Sequence, residues 1–299
     1  MFTGCGTALV TPFRQDLSLD EDALRRLVRR QIEAGINFLV PCGTTGESPT
    51  LTRAEHLRVV EITVAEARGK VPVLGGAGGY NTAEVIELAT ELRDIGVDGI
   101  LSVTPYYNKP TQEGLYQHYK TIAAAVPLPI VVYSVQGRTG VNVEPATLKR
   151  LAAIGNIVGV KEASGNIGQM ARVVHDVPEK FLVLSGDDSI TLPLIALGGR
   201  GLISVASNEI PAEMTRLVQL GLSGDFAAAR VLQRAWLPLM EVNFVESNPI
   251  PVKAAMAMMG LLEPAWRLPL TPPLPPNQAK IEAVLEASGL LAHARTHAS

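Results

Sequence analysis

Short, almost continuously apolar runs recur along the chain, with amphipathic stretches in the intervals between them. The runs are Gly6 to Phe13, Asn37 to Gly43, Val71 to Gly78, Asp98 to Pro105, Pro129 to Ser134, Asn156 to Ser164, Phe181 to Asp188 and Gly201 to Asn208. Strands that are apolar throughout are those buried on both faces, as in a parallel sheet covered by helices. The intervals carry helical spacing. Leu57, Val60, Val64 and Ala67 share one face of one segment, and Val85, Leu88, Ala89, Leu92 and Ile95 one face of another. Helix starts are marked too: Thr52 stands three residues before Glu55, the spacing of a capping box, and Asn81 or Thr82 can cap the next helix.

Eight such β-then-α units in about 220 residues predict an α/β fold of the (β/α)8 TIM-barrel type. An open doubly wound sheet has fewer strands and a clear switch point. After Asn208 the strand signal stops and helical patterns take over, from Pro211 to Leu222, Asp225 to Phe244, Pro251 to Met259 and Asn277 to Leu285. The proline-rich run Leu268 to Asn277 sets the last of these apart, because successive prolines cannot continue a helix. The expected organisation is a barrel catalytic domain over residues 1–224 and a C-terminal helical domain over residues 225–299.

Composition narrows the function class. Of 299 residues, 47% are hydrophobic and 18% charged, which suits a large buried core. A formal net charge of -3 offers no basic field for nucleic acid. No apolar stretch approaches the roughly 20 residues needed to span a bilayer, and the N-terminus lacks the pattern of a secretory signal. A cytoplasmic protein acting on small molecules is therefore expected. Cys5 and Cys42 show no paired spacing and read as free thiols. His293 and His297 stand four apart, but in a terminal tail, and the other three histidines are scattered, so no metal site is expected. The stretch GGAGGYN lacks GxGxxG spacing and argues against a dinucleotide site.

In a barrel of this kind the active site lies at the C-terminal ends of the strands, so polar residues just after each apolar run are the candidates. Of the eight lysines (Lys70, Lys109, Lys120, Lys149, Lys161, Lys180, Lys253 and Lys280), only Lys161 ends an apolar barrel strand. A buried amine is held more readily in its neutral form, which attacks carbonyls. Position alone leaves open that Lys161 merely ends a strand and extends to solvent. Tyr133 ends the preceding strand, where a phenol can reach the amine and carry the protons that imine formation moves, although a buried tyrosine can equally be core. The turn Thr44 to Gly46 is either a tight connection or a site where Thr44 relays a proton and Thr45 holds a carboxylate. Arg138 is either a solvated loop charge or a bidentate clamp on a substrate carboxylate.

The ordered series GTALVTPF, GTTGES, TPYYNKPTQEG, GRTG, VKEASGN, SGDD, GLISVASN, NPIPVKAA and RLPL resembles the dihydrodipicolinate synthase (4-hydroxy-tetrahydrodipicolinate synthase) family, within the wider group that includes N-acetylneuraminate lyase. The resemblance covers nearly the whole chain. It implies that Lys161 forms a Schiff base with pyruvate and that Tyr133 handles the protons. It also implies that Thr44 and Tyr107 complete a relay, with Tyr107 supplied by a neighbouring subunit. Thr45 would bind the pyruvate carboxylate, the main chains of Gly186 and Ile203 would line the pyruvate pocket, and Arg138 would hold the carboxylate of L-aspartate 4-semialdehyde. No cofactor is implied, because the protonated imine is itself the electron sink. A homotetramer built as a dimer of dimers is the family's expectation. Members inhibited by L-lysine bind it near positions held here by Ser48, His56, Tyr80, Glu84 and Tyr106.

The chain departs from the family pattern after the fifth run, where YSVQGRTG stands in place of YNVPxRTG. Ser134 and Gln136 flank Tyr133 and are expected to alter the shape of the loop and its acceptance of the second substrate. Tyr80, where asparagine is frequent, and the positive charge of Arg53 are expected to weaken inhibition by lysine. Two other readings remain: a different pyruvate-dependent Schiff-base aldolase, for N-acetylneuraminate, 2-keto-3-deoxy-sugar acids or hydroxy-oxoglutarate, and a non-catalytic barrel that binds a keto acid. The short acceptor suited to Arg138 argues against the first, and the set Lys161, Tyr133, Thr44 and Tyr107 against the second.

Overall fold

The structure, a computed structural model, describes residues 1–291. The tail with His293 and His297 lies outside the described residues. The eight apolar runs form eight strands: β1 (Gly4–Ala8), β2 (Phe38–Val40), β3 (Leu74–Gly76), β4 (Gly99–Val103), β5 (Ile130–Ser134), β6 (Ile157–Glu162), β7 (Leu182–Ser185) and β8 (Gly201–Ser204). All the pairings are parallel, in the order β2-β1-β8-β7-β6-β5-β4-β3. A parallel bridge between Leu39 and Val73 joins the two outer strands and closes the ring.

Alternation along each strand divides the apolar residues between two layers. In β5, Val131 and Tyr133 join a cluster inside the barrel with Leu184 and Ile203, while Ile130 and Val132 pack outward against the helices. This is why the strands are apolar at every position: both faces are core. Phe2 and Phe38 belong to the inner cluster and meet edge to face at 5.7 Å between ring centroids.

The helix Arg53–Ala67 opens with the expected capping box, Thr52 with Glu55, and Asn81 rather than Thr82 caps the helix Thr82–Ile95. Beyond the barrel the helices Pro211–Leu222, Phe226–Val242, Ile250–Met258 and Pro275–Ala287 follow the sequence pattern closely. Two details differ. Pro275 and Pro276 belong to the last helix and not to the linker before it, since proline fits a first helical turn whose N–H groups have no intrahelical partner. Arg138 lies in a four-residue helix, Gln136–Thr139, where a loop was expected. Among the described residues no helix is long and apolar enough to cross a membrane.

Candidate active site

Parallel pairing of β5 with β6 sets Tyr133 beside Lys161 and Ser134 beside Glu162. Alternation then turns the first pair into the barrel and the second pair away from it. Lys161 Nζ lies 4.2 Å from the centroid of the Tyr133 ring, and the two residues are only 5% and 6% exposed. A glycine is needed next to them. A Cβ on Gly186 would stand 3.1 Å from Lys161 Cε and 2.6 Å from Ala163 Cβ, so the backbone after β7 approaches the lysine stem as only glycine allows. Ile203, on β8, is fully buried in the same inner cluster as Tyr133.

Among the described residues Lys161 makes no ion pair. A second lysine, Lys253, is fully enclosed, and its Nζ meets Glu47 Oε1 at 2.5 Å. Burial pulls the Lys253 ammonium below the ordinary lysine range, and the Glu47 carboxylate opposes that shift. The two buried amines thus differ in their surroundings: one is paired with a carboxylate, and the other has no ionic partner among the described residues.

A cavity of about 380 Å³ reaches this point. Tyr133, Thr44, Arg138 and Thr139 form part of its wall, and Ser48, His56 and Tyr106 another part. Lys161 itself is not on that wall, but its Nζ lies over the ring of Tyr133, which is. The turn after β2 that carries Thr44 and Thr45 has left-handed φ values of 55° at Cys42 and 52° at Glu47, unusual for residues with side chains. Its surroundings hold it there. A Cβ on Gly76 would reach within 2.0 Å of the Cys42 carbonyl oxygen, so β3 admits the turn only with glycine at that place. From the other side Lys253 grips Glu47, and Asn248 Nδ2 donates to Thr45 Oγ1 at 2.9 Å.

Asn248 also accepts, through its main-chain oxygen, a hydrogen bond from Arg138 Nη2 at 3.0 Å. It therefore touches both residues expected to hold substrate carboxylates, and sequence reasoning gave it no role. So too with Glu47 and Lys253. The signal was present in the NPIPVKAA and GTTGES segments, but nothing in either shows that the two meet.

The remaining site candidates fall in two groups. Tyr107 is 90% exposed, with φ 69°, and is not part of the wall of this cavity. Around the expected lysine position, Ser48, His56 and Tyr106 share the cavity wall, and Tyr80 packs edge to face on Tyr106 at 5.1 Å. Glu84 is exposed and accepts from Asn81 Nδ2 at 2.9 Å. His56 Nε2 lies 2.9 Å from the Gly76 carbonyl oxygen, and burial pulls the ring below its ordinary range, which favours the neutral imidazole as donor. Arg53 pairs with Glu91 at 2.6 Å, so its charge is already matched.

Ser134 faces away from the cavity. Its Oγ accepts from Val143 N at 3.1 Å and donates to Asn142 Oδ1 at 3.4 Å. Asn142 in turn donates to Gln169, whose amide donates to the buried Glu162 at 2.8 Å. Burial raises the Glu162 carboxyl, while hydrogen bonds from Ser164 and Gln169 oppose this. Gln136 is exposed at the head of the short helix that carries Arg138.

The model of the Dihydrodipicolinate synthetase family matches residues 1–288. The chain belongs to this family. A curated relative, the 4-hydroxy-tetrahydrodipicolinate synthase of Koribacter versatilis, is 56% identical over 97% of both chains. Among solved dihydrodipicolinate synthases, the one from Acinetobacter baumannii, complexed with pyruvate, is 42% identical with a TM-score of 0.95, covering 97% of this chain and 100% of that one. The one from Cyanidioschyzon merolae, with lysine bound, is 39% identical with a TM-score of 0.93, covering 97% and 99%. A third, described as a monomeric dihydrodipicolinate synthase variant, is 47% identical with a TM-score of 0.95, covering 97% and 98%.

Proposed function

We propose that this site joins pyruvate to L-aspartate 4-semialdehyde through a Schiff base on Lys161. The chain is a lyase of the dihydrodipicolinate synthase family, and its reaction is that of a 4-hydroxy-tetrahydrodipicolinate synthase, in the diaminopimelate route to lysine. The observation that carries the site reading is a buried, unpaired amine set against a phenol ring at the ends of neighbouring strands.

The Lys161 amine adds to the pyruvate carbonyl carbon, and the carbinolamine loses water to give the protonated imine. Tyr133 supplies and removes the protons, in a relay with Thr44 and with Tyr107 of a neighbouring subunit. The iminium withdraws electrons, so the pyruvate methyl loses a proton and becomes an enamine. That carbon attacks the aldehyde, whose oxygen takes up a proton. The substrate's amine then adds to the imine carbon and expels Lys161, which restores the free enzyme and leaves the hydroxylated ring.

Thr45 holds the pyruvate carboxylate, the main chains of Gly186 and Ile203 line its pocket, and Arg138 binds the carboxylate of the aldehyde. Barrel residues 1–224 carry the chemistry, and the C-terminal helical part braces the mouth through Asn248 and Lys253. The exposed Tyr107 calls for a second subunit, in a homotetramer. L-Lysine binds between Ser48, His56, Glu84, Tyr80 and Tyr106 and inhibits weakly, because His56 is already engaged with Gly76. Borohydride added with pyruvate tests the core of this reading. The expected result is a gain, at Lys161 alone, of the mass of pyruvic acid less one oxygen; an unlabelled Lys161 overturns it.

A further inference from the structure

Thr45 can hold a carboxylate only if its hydroxyl donates, because a carboxylate has nothing but acceptors to offer. A threonine hydroxyl rotates freely and can as easily spend its single hydrogen on a neighbouring oxygen. Here the neighbour is Asn248, and it presents an N–H: Nδ2 donates to Thr45 Oγ1 at 2.9 Å. That contact fills a lone pair and leaves the hydrogen. Among the described residues Thr45 Oγ1 has no acceptor of its own, although the residue is 2% exposed.

Asn248 is itself 5% exposed, and its Oδ1 is buried without a partner. The opposite amide orientation would spend the threonine hydrogen on Oδ1 and exchange that unpaired oxygen for an unpaired N–H, in addition to the Nδ2 hydrogen that Thr45 does not take. A lone buried carbonyl oxygen is the more tolerable of the two. The residue is fixed in place by its surroundings: its main-chain oxygen accepts from Arg138, and five residues on, Lys253 is locked to Glu47 in the turn that carries Thr45.

We propose that Asn248 is a positioning residue that sets the polarity of the Thr45 hydroxyl, keeping its hydrogen free for the carboxylate of the keto acid. This rests on the assignment of Thr45 to the pyruvate carboxylate. An aspartate at position 248 reverses the contact: it accepts the threonine hydrogen and adds a negative charge near an anionic substrate. Alanine merely releases the hydroxyl.

Steady-state kinetics on N248D, N248A, T45V and the double variant N248D/T45V test the idea, with thermal unfolding to establish that each is folded. N248D is expected to raise the KM for pyruvate by about tenfold or more, the scale of a hydrogen bond to a charged group. N248A raises it less, the KM for the aldehyde stays within about twofold, and on the T45V background N248D adds little, as for residues acting as one unit. Borohydride trapping at saturating pyruvate still labels Lys161 in each. If T45V raises the pyruvate KM and N248D does not, or if N248D has its full effect without Thr45, the proposal falls while the Thr45 assignment stands. An unchanged pyruvate KM in T45V overturns the assignment and the proposal with it. Should N248D fail to fold, N248A alone and with T45V decides by the same additivity.

Discussion

Lys161 and Lys253 share burial but not surroundings, and the difference separates chemistry from structure. Lys253 faces Glu47 at 2.5 Å with both side chains fully enclosed, and its ammonium also sits 4.4 Å from the centre of the Phe13 ring. Replacing it with methionine leaves a carboxylate buried and unmatched, and breaking a buried pair in this way costs about 3–5 kcal/mol. Lys161→Met strands no charge, so its stability is expected to match or exceed that of the parent, while the borohydride adduct with pyruvate disappears. Urea unfolding of the two variants checks the contrast. Equal losses of stability would mean that Lys161 also has a structural partner. Position along the chain could single out Lys161 as the strand-end lysine, but it could not show that Lys253 is buried. That depends on a contact between residues 206 apart.

Elements deliver these side chains through two devices, close backbone approach and fixed helix ends. At the end of β7, Gly186→Ala places a methyl 3.1 Å from Lys161 Cε and 2.6 Å from Ala163 Cβ. The lysine stem must then shift, and near-attack geometry lost by an ångström costs about 10²-fold. The expected result is a kcat at least that much lower, with slowed borohydride trapping, in a protein that still folds. At the head of the helix Arg53–Ala67, Glu55 closes the capping box and also meets Arg267 at 2.5 and 2.8 Å. Hydrogen bonding to Arg267 is the main reason that its carboxyl is lowered from 4.5 to about 2, against the cost of burial. An acid whose pKa is depressed in the fold contributes stability that is complete above its unfolded value and is lost as pH falls through the folded one. The stability difference between the parent and Glu55→Gln should thus be constant above about pH 5 and vanish towards about pH 2, read as paired urea unfolding curves. A difference that persists at the acid end would assign the effect to packing instead. The strands were legible because both faces of each are core, and the capping box because its signal is local. The helix holding Arg138 was not, since four residues are too few to show a period. Ser134 looked like a change at the mouth until alternation turned it outward to Asn142 and Val143.

For the whole molecule, the decisive question is whether a barrel closed on itself needs a second copy. Among the side chains assigned to the chemistry, Lys161, Tyr133 and Thr45 are buried, whereas Tyr107 is 90% exposed and does not line the cavity of its own chain. An aromatic side chain left this exposed, on a left-handed backbone, is a surface that a partner can cover. In a two-fold dimer the same contact is made twice, so each subunit can lend its tyrosine to the other's site. That arrangement makes two defective chains able to repair each other. A chain with Lys161→Ala keeps its Tyr107, and a chain with Tyr107→Phe keeps its Lys161. In a mixed dimer one site unites the intact lysine with the intact tyrosine, while the other has neither. Random assortment makes half of the dimers mixed, and one site in two of those complete, so co-refolded chains should recover about a quarter of the parent activity. Each variant alone should remain well below that. If Tyr107 served its own chain, or no site at all, mixing would give only the average of the two variants. The mixed sample's activity therefore reports directly on whether the relay crosses between subunits.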